Sequence, residues 1–178
     1  LIGNHMLKIE SKSVELNKSI NHYLEFLENL NNYKILFPEN KISDWKSNED
    51  FCSLKFQNAY KLELIKDKII SNSIFLKSGH TSPVKFSIVI KFENILKNSC
   101  SVKIVCNADI NPALKFMIGK PLNELFNYMV KKMEEEAKEV DENATTDAKY
   151  QKTGFAEELS EEKDDMKEEK DDMKEEKD

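Results

Sequence analysis

Residues 107–126 read NADINPALKFMIGKPLNELF, and this stretch decides which fold the preceding sequence must form. Asn111 is a good helix cap and Pro112 suits a first helical turn, so the pattern predicts a helix from Pro112 to about Val140. Apolar residues recur at helical spacing and predict one wide buried face, made of Leu114, Met117, Ile118, Pro121, Leu122, Leu125, Phe126, Met129 and Met133.

Two residues inside this helix interrupt its regular pattern. Pro121 removes one backbone hydrogen bond and crowds the preceding turn, which predicts a kink around Gly119-Lys120-Pro121. A bend at that point would let the helix follow a concave sheet. Asp109 lies just before the helix, where its carboxylate favours the positive end of the helix dipole, so we expect a structural role for it.

Residues 42–108 show the pattern of antiparallel strands joined by short polar turns. Six strands are predicted: ISDWKS, FCSLKF, YKLELI, IISNSIFLKS, VKFSIVIKFE and SVKIVCNA. The turns are NED, QNA, KDK, GHTSP and ENILKNS. Apolar and polar residues alternate in the last two strands, so one face of the sheet is predicted to be buried and the other wet. Val89 and Val105 are the apolar exceptions on the wet face.

The first part of the chain supplies one more strand and two helices. A strand is predicted from Leu7 to Leu16, followed by a helix that begins near Ile20 with Asn17 or Ser19 as its cap. A second, short helix ends before Pro38. The element order β-α-α-β6-α predicts an α+β fold in which a curved antiparallel seven-stranded sheet wraps around one long C-terminal helix.

Charge divides the 178-residue chain into a basic part and an acidic part. Residues 1–133 carry a net charge of +6, and residues 134–178 carry −12. The heptad EEKDDMK occurs twice near the end with one apolar residue per repeat, which is too few for a coiled-coil seam. We expect a cloning scar or extension at 1–6, a domain at 7–140, and a disordered or isolated helical acidic tail at 141–178.

The residue types of common catalytic and metal sites are sparse. HExxH, CxxC, Gly-rich phosphate loops and nucleophile elbows do not occur in the sequence, so no catalytic residue, metal or cofactor is predicted. Three isolated cysteines favour free thiols in a reducing compartment, and no apolar run reaches ~18 residues, so we expect a cytoplasmic protein. Every basic residue is lysine, which argues against specific nucleic-acid recognition.

The order of elements resembles that of the START/Bet v 1-like superfamily (SRPBCC, polyketide cyclase/dehydrase-like). The segments FLENLNNYKILFPENKISDWK and DINPALKFMIGKPLNELFNYM are similar to small bacterial SRPBCC proteins, especially of Bacteroidetes type. The resemblance covers about residues 7–139 and implies the helix-grip fold. It also implies a cavity between sheet and long helix for lipids, sterols, quinones or polyketides. Some members are cyclases or hydrolases, and others transfer lipids, act as quinone chaperones or bind chaperones.

Three functions stay open at this point. The first is non-catalytic binding or transport of a small hydrophobic ligand (a lipid, fatty acid or isoprenoid quinone) in a cavity of at least ~300 Å³. The second is a cyclase or hydrolase that uses Tyr60, His80 or Asp109 in the same cavity. The third is a protein-interaction module with a vestigial cavity. The oligomeric state is left open.

The expected cavity wall combines residues of the apolar sheet face and of the last helix. Methionines on the helix would give it an adaptable lining. The predicted ligand-binding residues are Trp45, Tyr60, Leu62, Leu76, Phe86, Ile88, Ile90, Phe92, Ile104, Cys106, Met117, Pro121, Leu125 and Met129. We also expect the acidic tail to fold back loosely on the basic domain and to weaken contact with anionic membrane surfaces.

Overall fold

The computed structural model describes residues 6–136, and the predictions for the N-terminal extension and the acidic tail lie outside that range. Its strands form one antiparallel sheet in the order β1-β8-β7-β6-β5-β4-β3, and β2 also pairs with β8. The strands are β1 (Met6–Glu10), β2 (Val14–Leu16), β3 (Ile42–Ser47), β4 (Phe51–Phe56), β5 (Tyr60–Ile70), β6 (Ser73–Ser78), β7 (Lys85–Leu96) and β8 (Ser99–Asp109).

The predicted first strand is in fact two strands, β1 and β2. Ser11 separates them: its backbone N–H donates to Ile104 O at 2.9 Å, and its Oγ accepts from Ile104 N at 2.9 Å. The pairing with β8 therefore shifts by one residue between Glu10 and Val14. This irregularity lets one stretch of chain follow the curved sheet edge along its whole length.

The two predicted helices after β2 are present. The α1 helix (Ile20–Leu27) is capped by Ser19, whose Oγ accepts from His22 N at 3.4 Å. The second is a 3₁₀ helix (Leu30–Leu36), and a further 3₁₀ turn spans Glu39–Lys41. The buried Tyr33 hydroxyl donates to Leu27 O at 2.9 Å and joins the two helices.

The predicted meander is confirmed, but two of its turns lie elsewhere. β5 continues through the predicted turn KDK with a bulge between Lys66 and Lys68, and the chain reverses at Ser71, whose φ is 54°. β7 similarly continues to Leu96. Polar residues on the solvent face of an exposed hairpin resemble turn residues in the sequence, and only the left-handed backbone at Ser71 marks the true turn.

The last helix, α2, spans residues 112–136 within the described part of the chain. Asn111 caps it as predicted, because its Oδ1 accepts from Leu114 N at 2.9 Å. The helix continues through Pro121 without interruption. No helix among residues 6–136 is long and apolar enough to cross a membrane.

The buried side chains of α2 all lie in its second half. Its buried side chains are Leu125, Phe126, Met129, Val130 and Met133. In the first half, Met117 is 62% exposed and Phe116 is 90% exposed. At 100° per residue Met117 lies about 120° around the helix from Met129, so it turns away from the sheet and does not belong to the buried face predicted for it.

Candidate ligand-binding cavity

A cavity of about 230 Å³ lies between the inner face of the sheet and α2. Five strands, β4 to β8, form its floor and one helix forms its roof, which is the arrangement expected when a curved sheet wraps around a helix. The sheet curves around the helix, and the side chains of the two do not fill the space between them. The wall is almost wholly carbon.

Apolar and polar residues alternate along β7 and β8, and this explains why the floor of the cavity is apolar. Ile88 lies directly opposite Cys106 in the antiparallel register, and Ile90 lies opposite Ile104. Side chains of an antiparallel pair that lie opposite each other point to the same face, so these four residues form one continuous patch under α2. Leu76 extends the patch on β6, because it pairs with Ile88.

The cavity opens at the end of the sheet where α2 begins. Lys61 and Pro83 are exposed members of its lining, and Tyr60, Ser82 and Val84 are half-buried. These residues come from the start of β5 and from the loop between β6 and β7. The polar groups of the lining are therefore concentrated at the mouth, while the deep part offers only hydrocarbon and the Cys106 thiol.

The loop at the mouth is tied to a buried carboxylate. Glu63 on β5 is 8% exposed, and Thr81 Oγ1 donates a hydrogen bond to its Oε2. The backbone oxygen of Glu63 accepts from Gly79 N at 3.0 Å and from Ser82 Oγ at 3.4 Å. Glu63 is thus bonded to three residues of a single four-residue turn, which leads directly into the cavity rim.

The titratable groups of the cavity wall are one buried thiol and two side chains at the mouth. Burial raises the pKa of the Cys106 thiol to about 12, so the sulfur stays protonated and is a poor nucleophile at neutral pH. The other titratable side chains in the lining are Tyr60 and Lys61, both at the mouth. His80 and Asp109 are not part of the wall. No cluster of three or more His, Cys, Asp or Glu side chains suited to a metal ion occurs among residues 6–136.

The structure brings eleven of the fourteen predicted site residues to the cavity wall. Trp45, Phe92 and Met117 are the exceptions. Trp45 packs on Phe37 at the outer end of the sheet, with ring centroids 5.8 Å apart, and its Nε1 donates to Ser47 Oγ at 3.1 Å. Phe92 faces inward as predicted, but α1 covers that part of the sheet. Met117 faces solvent, because its position around the helix turns it away from the sheet.

The wall also contains residues that the sequence reasoning did not assign to it. Some share a face with assigned residues and could have been found by alternation, as Leu64 and Ala108 could. Others lie in the loop before β7 or in the 3₁₀ region, where no periodicity exists. The additional wall residues are Phe37, Phe56, Lys61, Leu64, Ser82, Pro83, Val84, Ala108, Leu114, Ile118, Leu122 and Phe126.

Comparison with solved structures identifies the fold. A START superfamily protein from Mycobacterium smegmatis matches with a TM-score of 0.59 at 13% identity, covering 76% of this chain and 99% of that one. A norcoclaurine synthase point mutant from Thalictrum flavum, in complex with a transition-state analogue, gives 0.64 at 11% identity, with 79% and 99% covered. The same plant's enzyme in complex with dopamine and hydroxybenzaldehyde gives 0.58 at 14% identity, with 79% and 92% covered.

The sequence itself matches no protein-family model and no curated protein. Similarities of 11–14% identity carry the fold and not the chemistry of those proteins. They agree in the features already described, namely a curved antiparallel sheet and a long C-terminal helix. This chain has the helix-grip fold of the START/Bet v 1-like proteins.

Proposed function

We propose that this protein binds a small apolar molecule in the cavity between the sheet and α2, without chemical change to it. The carbon-lined, partly open cavity of about 230 Å³ carries this proposal. Ligand pockets are typically apolar hollows with few polar groups at defined places. Here Tyr60, Lys61 and Ser82 at the mouth supply such groups, so the polar end of a ligand would point outward.

The volume of the cavity restricts the size of its ligand. The cavity does not reach the ~300 Å³ expected from the sequence, the size at which drug-sized pockets begin, but it is larger than the ~150 Å³ cavity that holds benzene in an engineered protein. One or two fused rings, or an acyl chain of similar volume, fit these bounds. A two-chain lipid or a polyprenyl quinone is too large to fit these bounds. The predicted ligand is therefore restricted to a compact molecule, or to one end of a larger molecule.

Solved structures of this fold support the size class. One norcoclaurine synthase structure contains dopamine and hydroxybenzaldehyde, each built on a single aromatic ring. Catalysis needs titratable groups that converge on the bound molecule. In this chain two of the three candidates, His80 and Asp109, lie outside the wall, and this favours binding over a cyclase or hydrolase activity.

Calorimetry of the full-length protein with aromatic alcohols of increasing size tests the proposal. We expect 2-naphthol, with two rings, to bind more tightly than phenol, and 9-phenanthrol, with three rings, to bind weakly or not at all. Val84→Trp should block the mouth and abolish binding. Val14→Trp is the matched control, because Val14 is also half-buried on the domain but does not line the cavity.

Two results would contradict the proposal. One is the absence of heat and of any adduct in native mass spectrometry for all three alcohols. The other is equal binding by the Val84→Trp and Val14→Trp variants, because this would place the ligand somewhere other than the cavity.

A further inference from the structure

Glu63 is the one carboxylate among the buried residues of the described chain, and nothing in ligand binding requires it. Burying a charge is costly unless hydrogen bonds compensate for it, so a buried carboxylate marks a place where the fold depends on specific polar contacts. The side chain lies on the face of β5 opposite to its neighbours Leu62 and Leu64, which line the cavity. Glu63 therefore does not reach the ligand space itself.

Gly79 leaves the space that the Glu63 carboxylate occupies. A Cβ atom at residue 79 would overlap the carboxylate of Glu63, and the turn after β6 thus leaves room for this side chain only because it has glycine there. The conformational freedom of glycine is not the reason, since no glycine among the described residues has positive φ. Space for the Glu63 side chain is the reason.

The contacts of Glu63 all lead to one turn. Ser82 N donates to Gly79 O at 3.2 Å and closes the turn, while Thr81 Oγ1 donates to the carboxylate. Directly after this turn, Ser82, Pro83 and Val84 form the rim of the cavity. Without the carboxylate, the turn would keep its internal bond from Ser82 N to Gly79 O, but it would be tied to β5 only through the backbone oxygen of Glu63, by Gly79 N and by the weak 3.4 Å contact from Ser82 Oγ.

We propose that Glu63 is a positioning residue that holds the 79–84 loop over the cavity mouth through Thr81, and so sets how readily molecules enter and leave. A hydrogen bond to a charged group is among the stronger polar contacts in proteins, and its loss should favour the open loop by about tenfold. The consequence for ligand exchange rests on the proposed function. The opening of the loop does not, and it can be measured without any ligand.

The Cys106 thiol provides the measurement. It lies in the cavity wall, whereas Cys52 is equally buried but lies outside the wall. Burial raises the pKa of both thiols, so neither is activated by its surroundings and the labelling of each depends on access. The small neutral reagent methyl methanethiosulfonate, followed by peptide mass mapping, gives both labelling rates in one sample of full-length protein. The ratio of the Cys106 rate to the Cys52 rate then reports cavity access and cancels global unfolding.

Thr81→Val removes the donor and keeps the side-chain shape. We expect it to raise the Cys106:Cys52 ratio by about tenfold. Gly79→Ala should raise the ratio too, because it displaces the Glu63 side chain. Glu93→Gln is the control and should leave the ratio unchanged, since Glu93 is exposed on β7.

The proposal is overturned if both variants leave the ratio unchanged, or if the Cys106 and Cys52 rates rise together, since a parallel rise means general destabilisation. A raised ratio in a protein that binds none of the aromatic alcohols would support the role of Glu63 and contradict the proposed ligand. The two proposals can thus fail separately.

Discussion

The ring of Phe92 stacks on the ring of Tyr23, with centroids 5.9 Å apart and planes 14° from parallel. Tyr23 belongs to α1. Phe92 lies on β7 two residues after Ile90 and on the same face, and Ile90 lines the cavity. The inner face of the sheet is therefore shared between two covering elements. Under α1 the ring of Tyr23 packs on it, and under α2 it leaves a cavity.

Phe92→Ala should destabilise the protein without altering the ligand. Large-to-small changes of a buried phenylalanine cost about 3–5 kcal/mol of unfolding free energy, and the stacked ring adds to this. The affinity for 2-naphthol should stay within about twofold, because Phe92 does not touch the cavity. Urea denaturation and calorimetry on the same variant measure both quantities. A change in ligand preference would show that the two parts of the inner face are not separate.

Leu76→Ala should enlarge the cavity and change which ligand fits best. Its matched control is Leu16→Ala, because both leucines are 2% exposed on strands but only Leu76 lines the cavity. Each change should cost about 2–5 kcal/mol. Only Leu76→Ala should gain binding of the three-ring alcohol in calorimetry, and a similar gain in Leu16→Ala would argue against the assigned wall.

Removal of the α2 cap should weaken the roof of the cavity. Asn111→Ala loses the bond to Leu114 N and should reduce the unfolding free energy by about 1 kcal/mol. Asn111→Asp should retain most of that stability, because a carboxylate accepts the same bond and favours the helix dipole. Thermal and urea unfolding measure both variants, and equal losses in Ala and Asp would contradict the capping role.

The protein should lose stability in alkaline solution. Burial raises the pKa of the Cys52 and Cys106 thiols from 9.0 to about 12, so the folded state keeps protons that the unfolded state releases. The contribution of the protonated, buried thiols to the free energy of unfolding is fully present below about pH 9 and is lost as the pH rises through about 12. Each thiol should remove up to ~1.4 kcal/mol per pH unit above about 9.

Urea midpoints between about pH 8 and about pH 10 measure this loss. The Cys52→Ala, Cys106→Ala double variant should show a shallower fall over that range. Identical slopes in the variant and the parent protein would mean that other groups dominate.

Deletion of residues 141–178 should increase binding to anionic liposomes. This segment carries a net charge of −9, and its removal leaves the basic charge of the domain uncompensated. Sedimentation with liposomes at low salt measures the effect, which should vanish as salt is added. No increase at low salt would refute the predicted screening by the tail.

The sequence predicted the architecture because its two periodicities are unambiguous. The two-residue alternation of VKFSIVIKF and the helical stripe after Asn111-Pro112 require an apolar sheet face and an apolar helix face, and these must bury each other. The same periodicities predicted eleven wall residues, among them Leu76, Ile88 and Met129, because wall residues face inward, but twelve other wall residues were not assigned. Periodicity could not place Met117, at the edge of the helical stripe, or the loop residues Ser82 and Pro83.

Only the tertiary structure decided where the inner face is packed and where it is empty. Phe92 and Ile90 are both apolar and both point to the inner face of the sheet, and they differ in which helix covers them. The contacts of Glu63 with Gly79 and Thr81 likewise could not be predicted from the sequence, because Glu63 is distant from both residues along the chain and no periodicity links them. Side-chain direction is a local property of the chain, whereas the volume left between two curved surfaces depends on how distant elements meet.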